Sequence, residues 1–398
     1  MSTRELTLDQ LGAVSRGRSR HRPRNAAQLY GGPYPFVQTG DVKRAGLYLR
    51  DYEQTYSEKG LAQSKLWPVG TLCITIAANI AETSILDIEA CFPDSVIGFT
   101  ANQEVADTRF VKYLFDAALK MRYRSFTQGA AQDNLSQAKL LSITFPVPER
   151  SVQQKIADVL SAYDNLIENN RQRIALLEEA ARLLYREWFV ELRFPGYQHI
   201  KVVDGVPEGW CRGKLGDVVE TNAESYRAEG LPEEINYIDI SSVERGRIVS
   251  RKRLSAGRAP SRARRKVSDG NIIWSNVRPN LRAYALVLEP DEVDVVSTGF
   301  TVLAAKSVPF TWLYEFVTTD FFVGHLVNNA TGAGYPAVRP GDFERVSLSI
   351  APDWLLTRFH EVVEPMFRMI AKLDRQNRGL AQARDLLLPR LMNGEIAV

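Results

Sequence analysis

The chain is 398 residues long, 45% hydrophobic and 24% charged, with a formal net charge of +3. This balance is that of a globular protein of about two domains, and no apolar run approaches the roughly 20 residues that a bilayer span needs, so no membrane partner is expected. Cys73, Cys91 and Cys211 are too few and too far apart for a disulfide framework or a C-x-x-C metal knuckle, and the polar start MSTRELTLDQLGAV is no signal peptide, so the expected location is cytoplasmic.

The first feature along the chain is a basic loop. Arg16, Arg18, Arg20, Arg22 and Arg24 alternate with uncharged residues and His21, with no acid among them. In a nearly neutral protein such a concentration points to a local polyanion contact. The run TLCITIAA, residues 71–78, follows a Gly turn and reads as a buried strand, and residues 105–123 have helical spacing in Val111, Leu114, Phe115, Ala118 and Leu119. Lys120, Arg122 and Arg124 near the end of that helix suit its C-terminal dipole. Gly129-Ala130-Ala131 then precede the strand-like LLSITFPVP.

Ser151-Val152-Gln153-Gln154 has the form of a capping box, opening a long helix. Leu160, Ile167, Ile174, Ala181 and Trp188 fall seven apart, interleaved with Ile156, Tyr163, Asn170, Leu177 and Leu184, which makes an a/d seam over about five heptads. Trp188 lies on the seam and should pack, whereas Phe189 lies off it and is the better candidate for contact with a partner protein.

A second basic stretch, residues 245–266, again lacks acids: Arg245, Arg247, Arg251, Lys252, Arg253, Arg258, Arg262, Arg264, Arg265 and Lys266. A second local polyanion contact is the expected role of Arg251 through Lys266. Arg278 and Arg282 follow the strand-like NIIWSNV, residues 271–277, from which they either reach bases or form structural salt bridges. Gly332-Ala333-Gly334-Tyr335-Pro336 reads as a tight turn in preference to a phosphate cradle. His21, His199, His325 and His360 show neither metal-ligand spacing nor a nucleophile partner.

These features recur with a period of about 200 residues. The run Phe36 to Arg44 pairs with Tyr237 to Arg245, Leu11-Gly12 with Leu215-Gly216, Val69 to Cys73 with Asp269 to Ile273, Gly98-Phe99 with Gly299-Phe300, and Gly129-Ala130-Ala131 with Gly332-Ala333-Gly334. Shifting the seam by 203 residues finds Phe359, Val363, Met366, Ile370, Leu373, Asn377, Leu380, Leu387 and Leu391. The expected fold is α+β: two similar mixed α/β recognition domains, residues 1–150 and 196–352, and two long antiparallel helices, 151–195 and 353–398, forming a coiled coil in a pseudo-two-fold internal repeat. Asn170 and Asn377 place amides in the seam to set register, Arg384 replaces the small Ala181, and Pro365 predicts a kink or a fresh helix start.

Residues 145–196 and 378–396, with Pro-x-x-x-x-Gln before the first helix, Trp188-Phe189-Val190, Phe194-Pro195-Gly196 and the ending Arg384 to Gly394, resemble the DNA specificity subunits of type I restriction-modification enzymes. The resemblance spans nearly the whole chain. It implies that each recognition domain reads half of a split site in double-stranded DNA, that Arg251 through Lys266 contact that DNA, and that the helices set the gap. It also implies docked methyltransferase subunits carrying S-adenosylmethionine, with restriction subunits, where present, using ATP and Mg. No cofactor and no catalysis are then expected in this chain. A self-contained methyltransferase or nuclease would need a Gly-rich cofactor loop, an Asn/Asp-Pro-Pro-aromatic motif or an acidic metal site, and none is found. A scaffold without DNA would leave both basic stretches unexplained.

Overall fold

The computed structural model describes residues 2–78, 80–120 and 136–398. Expectations for Arg122, Arg124 and the Gly129-Ala130-Ala131 motif lie outside these residues, as do the Leu119 and Lys120 side chains. Contacts divide the chain into two units, Met1–Gln172 with Arg375–Val398, and Arg173–Asp374. The chain leaves the first unit within one long helix and returns to it within another.

In the first unit, Gly12–Arg16, Val96–Ala101, Leu72–Thr75, Thr83–Leu86 and Tyr48–Leu49 form a sheet in that order. A second sheet runs Gln54–Tyr56, Tyr30–Phe36, Ala90–Cys91, Leu66–Trp67. In the second unit the corresponding sheets run Val219–Thr221, Phe300–Ala305, Ile272–Ser275, Tyr284–Leu286, and Lys252–Ser255, Glu234–Ile238, Asp294–Ser297, Ala263–Lys266. The order is the same apart from the extra edge strand Tyr48–Leu49 in the first unit, and so is the sense: Tyr30–Phe36 and Glu234–Ile238 each pair antiparallel on one side and parallel on the other. The duplication read from the sequence is thus a repeat of topology.

The strand registers also correct two of the sequence pairings. Gly70 and Gly270 do correspond, with φ of 84° and 80°, donating to Leu86 O and Val287 O at 2.8 and 2.9 Å. Only glycine adopts that backbone without strain. Leu215, however, corresponds to Leu8 rather than Leu11: each opens a one-turn helix between two strands, and a side chain three residues on accepts the N–H of the residue before it, Gln10 from Thr7 and Asp217 from Lys214. Gly98-Phe99 corresponds to Val302-Leu303, because Phe99 faces Leu72 and Val14 as Leu303 faces Ile272 and Thr221. Gly-Phe recurs three residues away by coincidence of composition.

The first long helix, Arg150–Tyr185, has 36 residues, a length of about 54 Å. Its start differs from the expected capping box. The helix opens one residue earlier, Ser151 Oγ donates to Glu149, and buried Gln153 does the tying: its amide donates to Pro148 O and Val105 O at 2.9 and 3.0 Å while Asp107 N–H donates to its oxygen at 3.1 Å. This is the physical content of Pro-x-x-x-x-Gln. The second long helix, Asp353–Met392, runs unbroken for 40 residues through Pro365. No restart occurs there, since Val363 and Phe367 are buried on either side and their packing holds the turn that Pro365 weakens.

Every expected seam residue of both helices is buried or half-buried. Within the first unit the pairing is antiparallel: Asn170 donates to Asn377 at 3.0 Å and to Gln376 at 3.2 Å, and Leu391 shares a core with Ile156, Ala157 and Leu160. The second unit is antiparallel as well. There Tyr185 and Trp188 both meet Phe359, at 6.1 and 6.0 Å between ring centroids, beyond the Ala181 layer.

Candidate nucleic-acid interface

In the first unit the basic loop leaves the strand Gly12–Arg16 and crosses the turn at Asp94. Arg16 donates to Asp94 O at 3.0 Å, and Arg24 pairs with both Asp94 carboxylate oxygens at 2.9 and 3.0 Å. Arg22 folds back on the Ser19 and His21 carbonyls, at 2.8 Å each. Arg18 is anchored by its backbone, which donates to Phe92 O at 3.0 Å and accepts from Ser64 at 2.8 Å. All five arginines are exposed, and Arg18 and Arg20 have no ion-pair partner among the described residues.

The second basic stretch is not a loop. Its residues form the two edge strands of a sheet, Lys252–Ser255 and Ala263–Lys266, with a short turn between. It is acid-free only along the chain, because the fold brings carboxylates to it. Arg251 meets the fully buried Asp294 at 3.2 Å, Lys252 pairs with Asp239, Arg253 with Glu234, and Lys266 with Glu224 at 3.3 Å. Burial alone would raise the Asp239 carboxyl, but hydrogen bonds from Lys252, Ser241 and Ser242 outweigh it and hold the group at about 2. Arg265 is half-buried against Ser225, at 2.9 Å, and desolvation lowers its pKa. Arg264 donates to Ala263 O at 2.7 Å. Between residues 251 and 266, the exposed cations left without a carboxylate among the described residues are Arg258 and Arg262, both in the connecting turn.

Arg278 and Arg282 flank a single 3-10 turn, Pro279–Leu281, and both are left-handed, with φ of 49° and 55°. Arg282 pairs with Asp320, the salt-bridge alternative, whereas Arg278 is exposed with its guanidinium 5.1 Å from the Tyr335 ring centre. Tyr335 belongs to the Gly332–Pro336 loop, which is closed by mutual hydrogen bonds of Thr331 and Ala337 at 2.9 Å and is a turn, as read. Exposed Leu281, Phe321 and Tyr335 were missed in the sequence. Only the pairing of two segments more than 50 residues apart reveals them.

Phe189 does not face outward. Its ring lies among Tyr185, Trp210, Trp312 and Phe359 at 5.1–6.2 Å. The cause is local: Arg186–Val190 is a π-turn, which takes one more residue per turn than the α-helix and so rotates the side chains beyond it off heptad register. Val190 is exposed instead. Among the described residues no cluster of three or more His, Cys, Asp or Glu could hold a metal ion, and no helix is long and apolar enough to cross a membrane.

Residues 4–179 match the family described as the type I restriction modification DNA specificity domain. The chain is thus similar to type I specificity subunits over nearly all of its length. It is 24% identical over 384 residues to the type I restriction enzyme MjaIX specificity subunit of Methanocaldococcus jannaschii, covering 93% of this chain and 88% of the relative. It is 21% identical over 319 residues to the HindI specificity subunit of Haemophilus influenzae, covering 64% and 69%. The crystal structure of a type I restriction-modification S subunit from M. genitalium shares the fold, with a TM-score of 0.61 and 13% identity over 98% of this chain and 96% of that one. The resemblance read from the helix motifs therefore holds, as does the mixed fold with long helices.

Proposed function

We propose that this specificity subunit reads a bipartite site in double-stranded DNA, residues 1–150 contacting one half and 196–352 the other, while the helices 151–195 and 353–398 set the gap and dock methyltransferase subunits. The observation that carries this reading is the shared sheet order of the two units, each continuing into one strand of an antiparallel helix pair. Joining two half-site binders by a stiff spacer makes the second contact effectively intramolecular, so two modest affinities become one strong, spacing-dependent affinity. Arg18 and Arg20 in the first unit, and Arg258 and Arg262 in the second, are exposed cations without a carboxylate partner among the described residues and are suited to phosphate. Arg16, Arg22 and Arg24, and Arg251, Lys252, Arg253, Arg264, Arg265 and Lys266, support those loops and strands through their internal partners. The subunit acts in the cytoplasm without catalysing the reaction. S-adenosylmethionine, ATP and Mg belong to methyltransferase and, where present, restriction partners.

The test is co-expression with a methyltransferase subunit and genome-wide mapping of modified adenines. Because Asn170 meets Asn377, seven residues are inserted after each, lengthening both helices by about 10.5 Å, or about three base pairs. The expected result is a bipartite motif whose gap grows by about three while both halves stay the same. Exchange of residues 200–352 for those of another member should change one half only. An unchanged gap, two altered halves, or methyl transfer by the purified chain alone overturns the proposal.

A further inference from the structure

Resting on that DNA-reading function, we infer that the turn Arg278–Arg282 and the loop Thr331–Ala337 form one base-reading tip of the second unit, with Arg278 as its guanine-reading side chain. The tip is a built object. Arg278 N–H donates to Pro336 O at 2.8 Å, Val338 N–H to Asn276 O at 2.8 Å, and Leu281 N–H to Arg278 O at 2.8 Å, so the two segments are stapled through their backbones. Two non-glycine residues in one short turn are held left-handed, a conformation costing on the order of 1–2 kcal/mol each, where a merely solvated turn would carry Gly or Asn.

What the staple displays is selective. Arg282 is neutralised by Asp320, leaving Arg278 as the cation of the tip without a carboxylate among the described residues. Its guanidinium lies over Tyr335, and Tyr335, Leu281 of the same turn, and Phe321 next to the Asp320 that pairs with Arg282 are each more than 60% exposed. Stacking on an aromatic ring restricts a guanidinium while leaving its hydrogen-bonding edge free, which suits the paired acceptors of guanine in the major groove. A phosphate contact needs neither restriction nor apolar neighbours.

The first unit has a left-handed pair at the ends of the corresponding connection, three residues apart rather than four, with different chemistry. Ala78 and Ala81 occupy the corresponding left-handed positions, with φ of 61° and 64°, since Thr75 N–H donates to Glu82 O there as Ser275 N–H does to Ala283 O. The tip of the first unit therefore offers no guanidinium at these positions.

The experiment uses the assembled methyltransferase complex, with methylation mapping and DNA binding measured in parallel. Arg278→Ala should make one base pair of the second unit's half degenerate and lower affinity for cognate DNA about 10- to 100-fold, leaving the other half intact. Arg278→Lys keeps the charge, loses the fork and should be degenerate too. Tyr335→Ala should show the same degeneracy more weakly. Uniform weakening on all sequences with an unaltered motif, or full function of Arg278→Lys, overturns the inference. A parent complex that yields no bipartite motif overturns the functional reading instead. Unchanged thermal unfolding of the variants ties the effects to the tip.

Discussion

Replacing Arg384 by Ala should destabilise the first unit far more than an average helix-surface change. In the heptad pattern Arg384 occupies the layer held by Ala181 in the first helix, and it fits because it has a partner: it pairs with buried Asp164, whose other oxygen accepts from Tyr113 at 2.5 Å. The triad ties the helix Thr108–Phe115 and both long helices together. The Arg384 side chain is 27% exposed and that of Asp164 7%. At an effective dielectric constant of about 20, two unit charges about 4 Å apart attract by roughly 4 kcal/mol, and desolvating them offsets most of this. Removing only the arginine leaves the desolvated carboxylate behind, a loss of roughly 3–5 kcal/mol. For a unit of about 200 residues this lowers the melting temperature by roughly 6–20 °C. Arg384→Met combined with Asp164→Asn keeps an acceptor for Tyr113 and removes both charges, so most of the stability should return. Urea unfolding of the parent, both single variants and the double variant gives the coupling energy directly. If Arg384→Ala lies within about 0.5 kcal/mol of the parent, the buried-pair argument is refuted.

Glu315 makes stability pH-dependent in the second unit. Burial, with a further push from Glu178 against the pull of Arg182, raises its pKa to about 8. The folded state then keeps a proton that the unfolded chain loses from about pH 4.5 upward, so stability should fall by roughly 4–5 kcal/mol as the pH rises from 4.5 to 8 and level off above. Glu315→Gln should abolish that slope and leave the protein more stable than the parent at pH 8; parallel pH profiles in urea would contradict this. In the first unit, a Cβ on Gly98 would come within 2.5 Å of the buried Trp67 ring, which cannot step aside. Gly98→Ala should cost about 1–3 kcal/mol, whereas Gly299→Ala meets the flexible end of Ile240 and should cost less, a ranking checked by thermal unfolding.

The long helices were legible because their signal is redundant. Ten seam positions in one helix obey a single period, so the loss of one, such as the polar Asn170, leaves the pattern standing. Where one local event decides the outcome, the same pattern misleads. The π-turn at Arg186–Val190 rotates Phe189 inward, and Gln153 ties the helix start to Pro148 and to the distant segment 105–107 rather than capping through its own turn. The basic stretches show a third limit. Charge along the chain cannot reveal that Asp239, Glu234, Asp294 and Glu224 arrive from other segments, so Arg251 to Lys266 read as eight residues of free polyanion affinity when half of that charge is already paired with carboxylates.

The two units also show why the scaffold repeats while the candidate interface does not. A sheet order is held by many backbone hydrogen bonds and buried strands, so both copies must keep it to fold. A loop that meets DNA is held by few internal contacts, and each copy can lose its charges without unfolding. The unpaired arginines accordingly sit at different topological places, after the first strand of the main sheet in one unit and between the edge strands of the smaller sheet in the other. The left-handed pairs, Ala78 with Ala81 and Arg278 with Arg282, join the two behaviours, since the positive φ recurs in both units while the side chains change from Ala to Arg. A conformation that strains whichever residue occupies it, retained where the chemistry differs, is better explained by a demand on the shape of the tip than by a demand of folding. Two units of one gene can therefore share a presentation device and still read unlike sequences.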